Sequence, residues 1–575
     1  MKFKFIIITA LLLTGFSPSL MASSTICNAN GCIITVDWAI DVEPSNNLHT
    51  CDYTQGAATF FPDTTGAGSG KCSLRRALRE AGARSDDSFC PNCTPVLIRF
   101  TGLNGTNGDA DDAFFNATEN QWLLQVSSGA SLSDFKIKPQ TITDVDGPIF
   151  VSGPSIDVLN GEMPKIMISS ETTLEIEASD VTLQNLGFMG GMSVHFKEAN
   201  GTFSNNTWGL SADGMSIQFA RLATDANDLA GNNGVLTTNK GDNMQVIGNV
   251  ISGAGTYAVE INSATSGVKI LNNLIGTRID GTVPVVPEAL KCRGFTDPFN
   301  PVDPPLEASE WFGGAGISAA GTGLLIQGNT IAGLQNIRST FDTPPEALTV
   351  FGALHTIENN TIGRNTNGTA VGVCGQGIKF STRTDTITPV NNGHMILNNI
   401  IDSARNGFEN TKGAILWSDT SAASFLDGGN TVRGNIVIDG PEKYFEIGPN
   451  LTTPIKAFEP AEITSISGTS VSGGNNQSDF QGNPSPCPNC IIDFYLDDTD
   501  GNEEALQHLG STTADANGDF NFTLSAPLAN GFGIRTTSTS TADEVIPHTW
   551  AGQTSEMSKD LYGAVLDIIF VNGFD

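Results

Sequence analysis

The sequence predicts an all-β protein whose body is a parallel β-solenoid, and three observations carry that prediction. Asparagine returns at a recurring place between short strand-like segments from about residue 181 to 440. Gly is abundant, 63 of 575 residues, while charged residues reach only 16% against the usual quarter. Hydrophobic residues make up 39%. That content excludes global disorder, and low charge with so much Gly excludes coiled coils and helical bundles.

Residues 1–22 carry Lys2 and Lys4, an apolar run from Phe5 to Leu13, and the small residue Ala22. This is the pattern of a secretory signal peptide, with a run too short to span a membrane as a helix. The expectation is an exported chain, secreted or held at the cell surface, with no transmembrane segment after signal removal. Lys and Arg total 29 and Asp and Glu 61, a formal net charge of −32. A polyanion would be repelled over most of such a surface, which argues against nucleic acid as a partner.

Ten cysteines stand at Cys27, Cys32, Cys51, Cys72, Cys90, Cys93, Cys292, Cys374, Cys487 and Cys490. An even number in an exported chain favours disulfides. Cys90-Pro-Asn-Cys93 and Cys487-Pro-Asn-Cys490 read as local bridges, because zinc needs four converging ligands and a thioredoxin-like pair needs a βαβ setting. Proximity suggests Cys27 with Cys32, Cys51 with Cys72 and Cys292 with Cys374, although connectivity is not deducible from sequence.

In residues 23–100, expected to form an N-terminal cap, Ser73 is a good N-cap residue, and Leu74, Ala77, Leu78 and Ala81 recur at helical spacing. A short helix with one apolar stripe is expected to lie across the open end of the solenoid and cover its strand edges. Arg75, Arg76, Arg79 and Arg84 are expected to face water or nearby carboxylates, with glycan binding as the other reading.

The body, residues 101–459, holds Asn185, Asn206, Asn249, Asn273, Asn329, Asn360, Asn399 and Asn435, each between apolar-alternating segments. The gaps of 21, 43 and 24 residues read as one, two and one coils; the later gaps of 56, 31, 39 and 36 read as one or two coils with insertions. No coil can bury its Ile, Leu and Val face alone, so stacking supplies the core. Asn tolerates the left-handed corner and can form an amide ladder along the stack. Roughly a dozen coils at about 4.8 Å each give a rod on the order of 55–60 Å.

Ile275-Gly-Thr-Arg-Ile-Asp-Gly-Thr282 and Ile362-Gly-Arg-Asn-Thr-Asn-Gly-Thr369 resemble the I-G-T-D-x-x-G-T units of bacterial right-handed parallel β-helix proteins. Cys72-Ser-Leu-Arg-Arg-Ala-Leu-Arg-Glu-Ala-Gly82 is similar to the CSLREA motif that precedes such helices, with Arg76 in place of Glu, Leu78 in place of Ile and Gly82 in place of Asn. The resemblance covers about residues 33–440. It implies a right-handed, pectin-lyase-like β-helix and assigns no activity.

Residues 460–562 change to alternating strands with a strong Asn517-Gly518 turn signal. About 100 such residues suit a β-sandwich, and Leu509–Phe520 with Gln553–Ser558 is similar to Ig-like modules of bacterial surface proteins. Asp498, Asp500, Asn502 and Glu504 crowd one turn whose D-x-D-x-N spacing suits calcium. The EF-hand pattern is not met, and a solvated acidic hairpin is the alternative. The tail, residues 563–575, ends in Ile569-Phe-Val-Asn-Gly-Phe-Asp575, which resembles I-F-x-x-G-F-E tails of bacterial secreted proteins; a closing strand reads equally well.

Function is less legible. The G-H-G and R-I-K strings of polygalacturonase-like enzymes and the R-x-P-x-x-R string of pectate lyases are absent, and the six histidines are scattered. The insertion between Gly281 and Gly316 carries Arg293, Phe295, Trp311 and Phe312, aromatic and cationic groups that suit sugar rings. A Pro-stiffened cover is the other reading of that loop. The expected protein is non-catalytic and binds a glycan or surface partner. A polysaccharide lyase or glycoside hydrolase with its site assembled across coils is the first alternative, and a structural surface rod the second.

Overall fold

The computed structural model describes residues 25–28, 31–36, 72–85, 94–100, 115–126, 135–138, 148–170, 173–189, 192–217, 234–237, 240–254, 257–284, 293–294, 315–334, 336–337, 346–381, 393–404, 413–418, 429–440, 442–447, 459–474, 476–478, 484–498, 500–541, 552–559 and 561–562. The body is a parallel β-helix. Three long sheets of 12, 11 and 10 strands run along it, and successive coils contribute one strand to each sheet in turn. Apart from the Thr25–Asn28 and Phe115–Asn116 edge strands, which pair antiparallel, neighbours in these sheets are parallel and in register.

Alternation along each strand makes the core. In the first sheet Ile98, Val151, Leu183, Phe203, Val246, Ile270, Ile326, Ile357, Ile396 and Val432 point inward and are buried. Each adds about 1.5–3 kcal/mol of burial that an isolated coil could not supply. Every gap between repeat asparagines spans one coil: Asn206 pairs directly with Asn249 across 43 residues, and Asn273 with Asn329 across 56. The two-coil reading of the 43-residue gap is therefore corrected. The extra residues leave at the other two corners, between the second and third sheets or the third and first. The first-sheet stack from Gly31–Val36 to Thr431–Arg433 has eleven parallel strands, so the rod is roughly 48 Å long rather than 55–60 Å.

The asparagine corner also differs from expectation, because two adjacent residues divide its tasks. Asn185, Asn205, Gly248, Asn272, Gly328, Asn359, Asn398 and Gly434 take the left-handed conformation. The following residues Asn206, Asn249, Asn273, Asn329, Asn360, Asn399 and Asn435 are buried and form the ladder. From Asn273 to Asn435, each ladder Oδ1 accepts both the backbone amide and the Nδ2 of the preceding asparagine at 2.9–3.0 Å. Asn185 belongs to the left-handed column, and Leu186 stands at the ladder position of its coil, its amide donating to Asn206 Oδ1.

Both ends of the stack are covered. The helix Leu74–Arg84 packs against strands of all three sheets at the N-terminal end, with Leu74, Ala77, Leu78 and Ala81 buried. Gly82 lies against Lys138, where an added Cβ would sit 2.4 Å from the Lys138 carbonyl oxygen. Ser73 stands at the N-cap as expected but makes no side-chain cap bond, and Arg75 is buried at 5% exposure, which leaves the water-facing half of its expectation unmet.

At the other end stands a module of antiparallel sheets of three and four strands with a two-stranded hairpin, Asn476–Ser478 and Pro484–Pro486. Its own core includes Val471, Phe520, Ile492, Phe494 and Ile534. The module also closes the solenoid, whose core continues into Tyr495, Ala505 and Met557. It meets the last strand of each solenoid sheet: Thr554 Oγ1 accepts from the Val432 amide, Val437 bridges Ala505, and Glu556 Oε1 accepts from the Ile447 amide.

Candidate functional sites

Three places gather chemistry, and the first is the open face of the first sheet. Outward side chains form two rows in register. One runs Leu97, Phe150, Thr182, Thr202, Gln245; the other runs Thr35, Arg99, Ser152, Gln184, Ser204. All are half-buried. Arg99 Nε donates to Thr35 Oγ1 at 3.2 Å, and Gln184 Nε2 to Ser152 Oγ at 3.1 Å. The result is a patch with one aromatic ring, one guanidinium, two amides and several hydroxyls. Sequence reasoning missed it because Ile149–Ser152 lies upstream of the asparagine-marked coils; the available signal was Phe150 on the polar phase of an alternating strand.

The third sheet carries charges that neutralise one another. Lys197 Nζ reaches Glu175 Oε1 at 2.7 Å and Glu177 Oε1 at 3.3 Å, with Lys136 3.9 Å from Glu177. Burial works to raise the Glu175 pKa, but the Lys197 hydrogen bond and charge outweigh it and hold the carboxyl below its usual value. Burial, together with the Lys197 charge, pushes the neighbouring His195 down to about 4. Lys379 and Glu346 pair at 2.9 Å further along.

The third place is the acidic turn at the solenoid–module junction. Asp497, Asp498 and Glu504 bring carboxylate oxygens within 4.8 Å of one another. Asp500 is not one of the three. Asp500 donates its amide to Asp498 Oδ1 at 3.0 Å, and Asn502 donates its amide to Asp500 Oδ1 at 2.8 Å. The D-x-D-x-N spacing therefore builds consecutive turns that consume carboxylate lone pairs. Asp497 already bonds the Arg535 guanidinium, so a divalent cation here would share that carboxylate with a fixed positive charge. Of the predicted calcium ligands, Asp498 and Glu504 lie in this group, joined by Asp497. Burial pushes Glu503 and Glu504 up to about 7 each.

Beside this turn, Arg433 grips Asp493 in a fork of 2.6 and 2.9 Å, and His508 Nε2 lies 3.1 Å from Asp493 Oδ1. Burial would raise the Asp493 pKa, yet its Arg433 and His508 bonds hold it below the usual value.

Of the four predicted ligand residues, only the backbone of Arg293 is described, in the short strand Arg293–Gly294 paired parallel to Asn336–Ile337. Phe295, Trp311 and Phe312 lie outside the described residues. Cys487 and Cys490 are joined as a disulfide. Cys32, Cys72 and Cys374 are also disulfide-bonded, and Cys27 and Cys32 are directly opposed in the first hairpin. Cys51, Cys90, Cys93 and Cys292 lie outside the described residues. No described helix is long and apolar enough to cross a membrane.

The fold and these sites define a parallel β-helix protein closed by a helix at one end and an antiparallel module at the other. No protein-family model matches the chain, and no curated protein does. Among solved structures it is similar to ORF18 of Geobacillus virus E2, with 11% identity, TM-score 0.26, and coverage of 83% of this chain and 71% of that one. It is also similar to the Dettilon tailspike protein gp208, with 12% identity, TM-score 0.24, and coverage of 72% and 87%. A third is the catalytic domain of GH87 alpha-1,3-glucanase in complex with nigerose, with 13% identity, TM-score 0.22, and coverage of 63% and 67%. At these scores the likenesses carry no argument about function.

Proposed function

We propose that this is a secreted or cell-surface β-helix protein that binds an extracellular glycan on its lateral face without cleaving it. The first-sheet patch carries the reading: Phe150 offers a ring to a sugar face, while Arg99, Ser152, Thr182 and Gln184 offer hydrogen bonds on a backbone held rigid by stacked coils. A net charge of −32 favours neutral or cationic glycans over uronate polymers. The paired carboxylates of the third sheet, Glu175 and Glu346, lack the freedom a general acid needs. The export signal in residues 1–22 fits this setting, and the C-terminal module, read as Ig-like, would serve as spacer as well as cap.

A glycan array with the full chain and its Phe150→Ala variant tests the proposal. Binding weakened tenfold or more in the variant, with unchanged thermal stability, is expected; equal binding would remove the patch from the account. A second reading, glycoside hydrolysis, draws on Glu503 and Glu504, whose pKa near 7 suits a general acid. New reducing ends or unsaturated products from a polysaccharide panel, abolished by Glu503→Gln or Glu504→Gln, would establish that reading instead.

A further inference from the structure

At the corner preceding each first-sheet strand, the buried residues run Met244, Val268, Leu324, His355, His394 and Asn430 along the stack. Apolar side chains fill the early positions. From Leu324 onward hydrogen bonds take over. The Leu324 amide donates to His355 Nδ1 at 3.2 Å, the His355 amide to His394 Nδ1 at 3.2 Å, and the His394 amide to Asn430 Oδ1 at 3.0 Å. The Asn430 carbonyl accepts from the Thr554 amide of the C-terminal module at 3.0 Å. A backbone amide can only donate, so both Nδ1 atoms are acceptors and both imidazoles are neutral. His355 Nε2 donates to the Phe351 carbonyl at 2.6 Å. The rings lie 4.8 Å apart, and Phe380 packs 5.2 Å from His394.

No counter-charge faces this pair among the described residues. The charged side chains of the strands packed around it occupy outward positions and are engaged elsewhere: Glu358 with Gln327, Lys379 with Glu346, and Arg433 with Asp493. The facing module residues Gln553 and Thr554 are uncharged.

We propose that His355 and His394 form an acid-sensitive latch joining the last coils and the C-terminal module to the rest of the solenoid. Protonation would set an N–H against a backbone N–H, break both 3.2 Å bonds, and place like charges 4.8 Å apart in a dry core. Burial lowers the His355 pKa to about 4; burial and the His355 charge hold His394 well below 6.5. A histidine with a depressed folded pKa binds more protons when unfolded, so its stability contribution is full above 6.5 and is lost as pH falls toward 4. For His355 alone that is roughly a 150-fold fall in the folding equilibrium by pH 4.

Hydrogen exchange of the full chain between pH 7 and 3.5, corrected for intrinsic rates, tests the latch. The amides of Leu324 and His355 and the coils beyond are expected to lose protection before the coils around Asn206–Asn273. In the double variant His355→Asn with His394→Asn, whose amides accept as Asn430 does and do not titrate, that opening should move at least one pH unit lower. Uniform loss of protection along the wild-type stack would overturn the latch even without the variant. So would a double variant, folded at pH 7, that opens at the wild-type pH.

Discussion

Replacing Asn329 by alanine removes four buried hydrogen bonds at once, besides a 3.2 Å bond from its Nδ2 to the Gln327 carbonyl. Its Oδ1 accepts the amide and the Nδ2 of Asn273, and its Nδ2 donates to the Ile270 carbonyl and to Asn360 Oδ1, all at 2.9 Å. All four bonds are buried. At about 1 kcal/mol net each, with the Asn273 amide left orphaned, the expected loss is about 4 kcal/mol. The neighbouring Asn272 is the control. It is exposed, takes the left-handed conformation at φ 54°, and matches the corner position that other coils fill with Gly248, Gly328 and Gly434. Asn272→Gly should therefore change stability by no more than about 0.5 kcal/mol. Urea unfolding with hydrogen exchange on the coils either side of residue 329 measures both, since solenoid coupling acts between nearest neighbours. A loss under 1 kcal/mol for Asn329→Ala, or equal losses for the two variants, would refute the ladder as an energetic element.

Further expectations follow from the two ends of the rod. Arg433→Leu leaves the buried Asp493 carboxylate with only the His508 ring beside it and should cost about 3 kcal/mol, with partial recovery on adding Asp493→Leu; thermal melts and proteolysis of the junction report this. Gly82→Val drives side-chain atoms into the Lys138 backbone and should unseat the N-terminal helix, seen as soluble aggregates by light scattering because strand edges are uncovered. Glu503 and Glu504 have folded pKa values raised to about 7, so the folded state binds more protons between about 4.5 and 7. Their joint contribution to stability should decline as pH rises through that window, a slope that Glu503→Gln with Glu504→Gln removes in denaturant titrations.

Much of the architecture was legible because stacking needs repetition, and repetition shows in sequence. The Ile, Leu and Val alternation and the recurring asparagines mark coils before any coordinates. The division of labour at the corner was not legible: Asn and Gly both suit a left-handed position, and two adjacent asparagines, as at 272–273, hide which one faces inward. Coil lengths misled where insertions of up to about 30 residues leave a corner without disturbing the register, as between Asn273 and Asn329. The lateral patch and the histidine column were obscure for a different reason. Their members come from different coils, so Arg99, Phe150 and Gln184 become neighbours only after parallel pairing. Aligning coils on their asparagines would have exposed His355 and His394 beneath Val268 and Leu324. At the acidic turn D-x-D-x-N serves backbone turns as readily as cations, so spacing alone did not reveal that Asp497 joins Asp498 and Glu504.

The most direct measurement of the stacked architecture is a pair of spin-label distances on one outward row of the first sheet. Lys269 lies three rungs from Thr182 and Met395 lies six, through Thr202, Gln245, Leu325 and Thr356. With labels on non-canonical side chains, to leave the disulfides intact, the Thr182–Lys269 backbone separation should be about 14 Å and Thr182–Met395 about 29 Å, in a ratio of one to two. Distances unrelated to rung number, or a Thr182–Met395 separation beyond about 45 Å, would contradict a single parallel stack.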